Sequence, residues 1–280
     1  MLQLDSPRQN TWCVGCGNFG ILTAVRGAIR ELIESNEVKP ENIVLSSGIG
    51  CHAKIVDYLK VNSFYSIHGR VPPTLTGMKV SNPGLKVIGF TGDGDGLAEG
   101  VSHLIHAAKR NTDITMVLHD NQRFSLTTGQ FTPTTPRGQA TKTTPEGSIE
   151  EPLNPLILML ASGATFVARG FTGEVKRLKE ILKEAVRHKG FSFVDVLQPC
   201  VTFNDTWAFY RERVYDLEDG RNLGDLEGAM KRAREWGDRI PTGIFYRVEK
   251  PTFEDALLQG RVPSSERGTP NLRVVLQTHI

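Results

Sequence analysis

Apolar side chains recur along this chain with two spacings, one typical of helices and one typical of buried strands. Residues 17–35, 97–110 and 172–190 have apolar positions at helical spacing, and residues 223–238 predict one more helix. Short apolar runs predict strands in "NIVLS", "LKVIGF", "DITMVLHD" and "FSFVDVL". Because strands and helices alternate, the pattern predicts an α/β fold with a mostly parallel sheet and helices on both faces.

Glycine, cysteine and acidic residues follow these strands directly. The turns read "SGIGC", "GDGDG", "DN" and "QPC" in chain order. Ligands of such sheets bind beyond the carboxyl ends of the strands, so these turns are the predicted site. Residues 126–155 are rich in Thr, Pro and Gly and predict a long loop, of a length that is usually functional or disordered.

The amino-acid composition limits the kinds of protein that this chain can be. The 280 residues are 39% hydrophobic and 23% charged, which suits one large or two small globular domains. A formal charge of +2 gives no reason to expect nucleic acid. The N-terminus lacks a signal-peptide pattern and the apolar stretch 155–168 is too short to span a bilayer, so we expect a cytoplasmic protein with no membrane contact and reduced cysteines.

Four cysteines lie at predicted turns or strand ends. Cys13 and Cys16 form a C-x-x-C pair, Cys51 follows 35 residues later, and Cys200 ends the last buried strand. The spacing of the four cysteines leaves several interpretations of the site open. Four thiolates bind zinc or a [4Fe–4S] cluster, although zinc sites usually use two close pairs. The first pair alone would suit a thioredoxin-type dithiol, and Cys51 and Cys200 could simply be small buried residues.

The turn "GDGDG" at 92–96 combines features that favour a metal-bound diphosphate. Its glycines allow close approach of the backbone to a phosphate, and Asp93 can bind Mg²⁺ with a second ligand from "DN" at 120–121. No G-K-[ST] follows, and acidic residues inside the turn would repel a pyrophosphate that had no metal. A solvated acidic turn that caps a helix is the alternative.

G-D-G followed by Asn just under thirty residues later looks like the diphosphate-binding motif of thiamine-diphosphate enzymes. The ordered motifs "WCVGCGNFG", "SGIGC", "HGR", "GDGDG", "DN", "TTGQ" and "QPC" resemble the β subunit of 2-oxoacid:ferredoxin oxidoreductases, most closely the 2-oxoglutarate type. The resemblance covers roughly residues 8–205. It implies a thiamine-diphosphate and [4Fe–4S]-binding α/β domain over 1–205, and a C-terminal extension over 206–280 that packs on this domain or on the partner subunit.

The resemblance also implies ligands. Mg²⁺ would be held by Asp93, Asn121 and the main-chain carbonyl of Arg123. The [4Fe–4S] cluster would be held by Cys13, Cys16, Cys51 and Cys200. The full set implied for cofactor binding is Gly50, Cys51, His52, Gly92, Asp93, Gly94, Asp95, Asn121, Arg123, Phe124, Leu126 and Thr127.

Three further residues are expected to serve catalysis. Lys54 matches a family lysine near the substrate carboxylate, where a cation would pair with a 2-oxoacid. His68 and Arg70, in "HGR", are expected to line the cofactor site. Alternatively, Lys54 is a surface lysine on a first helical turn and Arg70 an ordinary ion-pair partner.

The implied activity is reversible oxidative decarboxylation of a 2-oxoacid. Coenzyme A takes the acyl group and ferredoxin collects the electrons, with 2-oxoglutarate as the leading substrate and pyruvate or a broad range as the alternative. Reversibility allows a CO₂-fixing role, as in a reductive TCA cycle. An α subunit is expected to supply the Glu that contacts the aminopyrimidine, in an (αβ)₂ complex, so the β chain alone should be inactive.

Two departures from the family pattern leave the substrate pocket less defined. The family often has Tyr-Gly after the metal-binding Asn and Ser-Ser after the third cysteine, where this chain has Phe124–Ser125 and His52–Ala53. Two other functional classes stay open from the sequence. One is a non-redox thiamine-diphosphate decarboxylase with a structural zinc, and the other is a non-catalytic electron-transfer module.

Overall fold

The structure is a computed structural model that describes residues 3–217 and 220–266. Its strands are β1 (Ile43–Ser47), β2 (Asn62–Tyr65), β3 (Lys86–Gly92), β4 (Thr115–Asp120), β5 (Phe166–Phe171), β6 (Ser192–Leu197), β7 (Val214–Asp216) and β8 (Ile240–Arg247). These eight strands of the described residues form one sheet in the order β2–β1–β3–β4–β6–β5–β8–β7. All neighbouring pairs are parallel except β5 and β8, which are antiparallel.

Helices cover both faces of this sheet. They are α1 (Asn18–Glu34), α2 (Val71–Ser81), α3 (Val101–Arg110), α4 (Pro155–Ala161), α5 (Val175–Arg187), α6 (Trp207–Arg213), α7 (Leu226–Ala233), α8 (Phe253–Leu258) and α9 (Pro263–Glu266). Successive side chains of β3 point to opposite faces of the sheet. Ile88 and Phe90 belong to the core under α1 and α5, whereas Val87 belongs to the core under α2, α3 and α4.

The predicted α/β class is confirmed, and β1, β3, β4, β6, α1 and α5 lie where the apolar pattern placed them. The helix predicted over 97–110 is divided, because a π-helical turn (Gly94–Glu99) ends at Gly100 before α3 begins. Residues 126–154 contain no helix and no strand, as predicted for the long loop.

The chain after residue 205 adds to the same sheet. β8 pairs with β5, and β7 pairs with β8, so the described part of the predicted extension continues the sheet. The boundary between a domain over 1–205 and an extension over 206–280 stays a prediction. Residues 267–280 of that extension lie outside the described residues.

His188 follows α5 and gives the fold a pH dependence. It is buried, its Nε2 lies 2.8 Å from the Thr165 hydroxyl, and burial lowers its pKa to about 4. The folded state therefore favours the neutral imidazole. When the pH falls below 6.5 the unfolded chain takes up a proton that the folded chain does not, so stability is present above pH 6.5 and is lost as the pH falls towards 4.

We expect His188→Gln, which does not titrate, to lose less stability than the wild type on acidification. Between pH 7 and pH 4.5 the wild type should lose about 2 kcal/mol more of its free energy of unfolding than the variant. Urea unfolding at several pH values measures this difference. If the wild type and the variant lose the same free energy of unfolding, protonation of His188 is not coupled to folding.

Candidate active site

Four parallel strands end at the same edge of the sheet, and the turns that follow them carry the candidate site. Residues 48–51 follow β1, 93–96 follow β3, 121–125 follow β4, and 198–200 follow β6. The first cavity at this edge, the acidic cavity, is lined by all twelve residues predicted for cofactor binding, together with Ile49, His68 and Ser125. The structure therefore brings the whole predicted cofactor set together.

Asp95 ties the loops of the acidic cavity to one another. Its Oδ1 accepts hydrogen bonds from the backbone N–H of Ile49 (3.2 Å) and of Gly69 (2.9 Å), and its Oδ2 accepts from the Thr91 hydroxyl (2.7 Å). Burial alone would raise the pKa of Asp95, but the neighbouring His52 and these hydrogen bonds hold it at about 2. The carboxylate therefore stays ionised and joins turns from three parts of the chain.

Both histidines of the cavity lie beside this carboxylate. Nδ1 of His68 is 2.6 Å from Oδ1 of Asp95, and Nε2 of His52 is 3.6 Å from Oδ2. The His68 ring also contacts Phe124 edge-on, with 6.1 Å between centroids. His68 thus lines the cavity as expected. Arg70 is not among the lining residues, and its guanidinium donates instead to the backbone carbonyl of Glu99 (3.0 Å).

Asp93 is a buried carboxylate held by the long loop. Its Oδ2 accepts from the hydroxyls of Thr132 and Thr134, and the Thr134 hydroxyl also lies 2.8 Å from Oδ1 of Asp120. Burial raises the pKa of Asp93 to about 6, although both threonines lower it. A carboxylate in this state would be stabilised by a nearby cation, because opposite charge offsets the cost of burial.

Asn121 forms a tight turn at the end of β4. Its Oδ1 accepts from the backbone N–H of Arg123 (2.9 Å), and Gln122 between them has a φ of 61°. The Arg123 side chain is buried, and its Nη1 donates to the carbonyl of Gln122 (2.6 Å). The guanidinium therefore folds back onto its own turn and does not face solvent.

A second cavity, the cysteine cavity, has a volume of about 330 Å³ and contains all four cysteines. All four are free thiols, with Cys13 exposed and Cys200 buried. The acidic and cysteine cavities share a wall formed by Cys51, Asn121, Ser125 and Leu126. Lys54 lines the cysteine cavity and not the acidic one.

The four sulfurs influence one another. Burial is the main cause that raises the pKa of Cys16 to about 12, and Cys200, Cys51 and Cys13 raise it further. Burial also raises the pKa of Cys51, while Lys54 lowers it. A positive centre beside Cys16 and Cys51 would offset this rise in pKa and favour their thiolate forms, as metal binding does.

Three side chains donate hydrogen bonds to these sulfurs. The Thr202 hydroxyl lies 3.4 Å from Sγ of Cys13 and the Ser125 hydroxyl 3.3 Å from Sγ of Cys200. Nε2 of Gln198 lies 3.7 Å from Sγ of Cys16, and Oε1 of Gln198 accepts from Asn121 (3.0 Å). The Gln198 amide therefore connects the two cavities through hydrogen bonds.

The spacing of the sulfurs bears on the kind of metal centre. Within residues 3–217 and 220–266, no three His, Cys, Asp or Glu side chains are gathered closely enough to hold a single metal ion. Tetrahedral zinc would bring thiolates to about 3.8 Å from one another, given zinc–sulfur bonds of about 2.3 Å. A cubane cluster spreads its ligands more widely, since each cysteine binds a different iron.

Sequence reasoning missed several residues that shape the site. Thr132 and Thr134 reach Asp93 from the long loop, and Ser125 and Gln198 contact cysteine sulfurs. The threonines carried one usable signal, because "FTPTTP" clusters hydroxyls inside a loop of functional length. No spacing rule indicates which turn a loop of that length will contact.

Two family models match this chain. Residues 48–196 match the family model "Thiamine pyrophosphate enzyme, C-terminal TPP binding domain", and residues 200–260 match the model for the C terminus of the pyruvate ferredoxin oxidoreductase beta subunit. The chain is similar to subunit beta of 2-oxoacid:ferredoxin oxidoreductase 1 from Aeropyrum pernix, with 44% identity over 92% of this chain and 84% of that one. It is 35% identical to the 2-oxoglutarate synthase subunit KorB from Methanocaldococcus jannaschii, over 88% of this chain and 90% of that one.

A solved structure is similar along nearly the whole chain. It is the 2-oxoglutarate:ferredoxin oxidoreductase from Magnetococcus marinus with 2-oxoglutarate, coenzyme A and succinyl-CoA bound, and it matches with a TM-score of 0.88 and 37% identity over 98% of this chain and 94% of that one.

Fold and family model together define a thiamine pyrophosphate-binding domain of an oxidoreductase. The chain belongs to the family of 2-oxoacid:ferredoxin oxidoreductase β subunits, which confirms the resemblance found in its motifs. None of the helices in the described residues combines the length and apolar character that crossing a membrane requires.

Gly48 gives a test of the role of Asp95. A Cβ at position 48 would lie 1.9 Å from Oδ2 of Asp95, whereas a Cβ at Gly77 in α2 would meet nothing within 4 Å. We expect Gly48→Ala to displace the carboxylate and to weaken binding of thiamine diphosphate with Mg²⁺ by about tenfold or more. Gly77→Ala is the matched control and should bind like the wild type. Calorimetric titration measures both, and wild-type affinity in Gly48→Ala would contradict the role given to Asp95.

Proposed function

We propose that this chain is the catalytic β subunit of a CoA-dependent 2-oxoacid:ferredoxin oxidoreductase that converts 2-oxoglutarate to succinyl-CoA and CO₂ and passes the electrons to ferredoxin. One observation carries the proposal. A cavity suited to a metal-bound diphosphate and a cavity with four cysteines share a wall of four residues. Carbon chemistry and electron removal therefore have adjacent compartments in one chain.

The acidic cavity fits Mg²⁺ and thiamine diphosphate. Asp93 is a buried carboxylate, and Asn121 and the main-chain carbonyl of Arg123 lie on the next turn, so these three groups would hold Mg²⁺. A Cβ at Gly94 would lie 2.3 Å from the Phe124 ring, so this turn packs closely only with glycine there. When bound, thiamine diphosphate supplies the electron sink for decarboxylation, and the protein supplies position and electrostatics.

The cysteine cavity has the ligand set of a [4Fe–4S] cluster. Cys13, Cys16, Cys51 and Cys200 line it, and they supply the four thiolates that such a cluster needs. Three of the four sulfurs accept a hydrogen bond from a side chain, as ligands of electron-transfer clusters commonly do.

The choice of 2-oxoglutarate rests on relatives and on one cation. The Magnetococcus marinus structure has 2-oxoglutarate, coenzyme A and succinyl-CoA bound, and the relative from Methanocaldococcus jannaschii is named a 2-oxoglutarate synthase subunit. Lys54 is the cation proposed to meet a substrate carboxylate, which would have to extend past the shared wall, because Lys54 lines the cysteine cavity and not the acidic one. Arg123 is less suited to that task, since its guanidinium is buried against Gln122 and Thr135. Pyruvate, or a broad range of 2-oxoacids, is the second candidate, since the Aeropyrum pernix relative is named only for 2-oxoacids.

A partner is required to complete the site. We expect an α subunit that contributes the Glu against the aminopyrimidine, in an (αβ)₂ complex located in the cytoplasm. Exposed apolar residues around both cavities support a docking subunit: Val14 is 96% exposed, Leu126 49% and Ile49 41%. The β chain alone should be inactive.

Substrate preference can be measured by anaerobic viologen reduction with the complex purified together with its natural partner. With CoA present, we expect a kcat/KM for 2-oxoglutarate at least about tenfold above that for pyruvate, because a second carboxylate adds a charge-assisted contact. Lys54→Met should reduce this ratio. A higher kcat/KM for pyruvate would replace the leading substrate by the second candidate. No reduction with any 2-oxoacid would contradict the enzyme function.

Asp93→Asn tests the magnesium site. Loss of the charged ligand should weaken binding of thiamine diphosphate with Mg²⁺ by about a hundredfold, while the visible absorbance of the cluster stays unchanged. Asp238→Asn removes an exposed carboxylate and is the control. Unchanged cofactor affinity in Asp93→Asn would favour the non-catalytic electron-transfer module. A zinc-containing, colourless wild type would favour the non-redox decarboxylase.

A further inference from the structure

Ser125 occupies the wall that separates the two cavities. It lines both of them, and its hydroxyl donates to Sγ of Cys200 at 3.3 Å. The wall between the two cavities therefore carries a hydroxyl that contacts a cysteine sulfur directly.

The backbone that carries this hydroxyl is held in place by the turn around it. The backbone N–H of Thr128 donates to the Ser125 carbonyl (3.2 Å), and the N–H of Gly129 donates to the Phe124 carbonyl (2.9 Å). The N–H of Phe124 in turn donates to the carbonyl of Gln130 (3.0 Å). The Cα of Ser125 is thus fixed at the base of a closed loop, within reach of the Cys200 sulfur.

The sulfur of Cys200, which accepts this hydrogen bond, belongs to an equally well-held segment. The backbone of Cys200 exchanges two hydrogen bonds with Asn204, at 3.1 Å and 2.8 Å, and Cys200 is only 7% exposed. Water has little access to this sulfur, so a protein donor is not readily replaced. Cys13, which accepts from Thr202, is exposed, and water can substitute for that donor.

We infer that Ser125 raises the reduction potential of the [4Fe–4S] cluster by its hydrogen bond to Cys200; the inference rests on the proposed cluster. Reduction adds one electron to the cluster and transfers no atoms, so the reduced form carries one more negative charge on iron and sulfur. A donor at a ligand sulfur stabilises that added charge and makes reduction more favourable. Ser125 acts through Cys200 and is a positioning residue for electron transfer.

The test is an anaerobic redox titration of the whole complex, followed by the electron paramagnetic resonance signal of the reduced cluster. Ser125→Ala should lower the equilibrium constant for cluster reduction about tenfold, which is a shift of about 59 mV to more negative potential for a one-electron couple. Ser125→Thr keeps the hydroxyl and should stay within about threefold of the wild type, and Thr202→Val at the exposed cysteine should change the constant less than about twofold.

The possible results separate this inference from the proposed function. If the wild type gives a cluster signal and Ser125→Ala leaves the reduction potential unchanged, the inference about Ser125 is overturned and the proposed function is not. An equal shift in Thr202→Val, or loss of iron from Ser125→Ala, also overturns it, because the hydroxyl is assigned to tuning a buried sulfur and not to holding the cluster. If the wild type contains no iron and gives no electron paramagnetic resonance signal, both the proposed function and the inference about Ser125 are overturned.

Discussion

The carboxylate of Asp95 fixes the arrangement of the turns from which the candidate active site is built. Parallel strands bring their carboxyl ends to one edge, but the turns that follow them are independent loops. Asp95 accepts backbone hydrogen bonds from the turn after β1 and from the loop after β2, and it is itself anchored to Thr91 at the end of β3. A buried carboxylate is costly unless its lone pairs are used, and here they are used by groups whose positions define the cavity.

This arrangement explains why the two cavities lie side by side. The turn after β1 ends in Cys51, which lines both cavities, while Gly50 lines only the acidic cavity. The turn after β4 contributes Asn121 and Ser125 to the shared wall, and Gln198 extends the hydrogen bonding from Asn121 to Cys16. On the proposed function, the reacting carbon and the cluster would lie close together, which would favour rapid one-electron transfer. The fold itself places the two cavities on neighbouring turns of one sheet edge.

Much of this could be predicted from the sequence, because the strongest signals were local. Apolar runs placed β1, β3, β4 and β6, and the residues after each run supplied Cys51, Asp93, Asn121 and Cys200. β8 was missed because Pro241 and Gly243 interrupt its apolar pattern, and its antiparallel pairing with β5 leaves no local trace. The contacts of Thr132, Ser125 and Gln198 depend on where distant loops meet, which spacing along the chain does not encode.

The most direct test of the two-compartment account is the cofactor content of the anaerobically purified complex. Iron, acid-labile sulfide, zinc and thiamine diphosphate would be measured for the wild type and for a Cys200→Ser variant. The account predicts about four iron and four sulfide per β chain in addition to those of any partner, one thiamine diphosphate, and loss of that iron in Cys200→Ser while thiamine diphosphate is kept. Stoichiometric zinc in place of iron, or iron unaffected by Cys200→Ser, would contradict it.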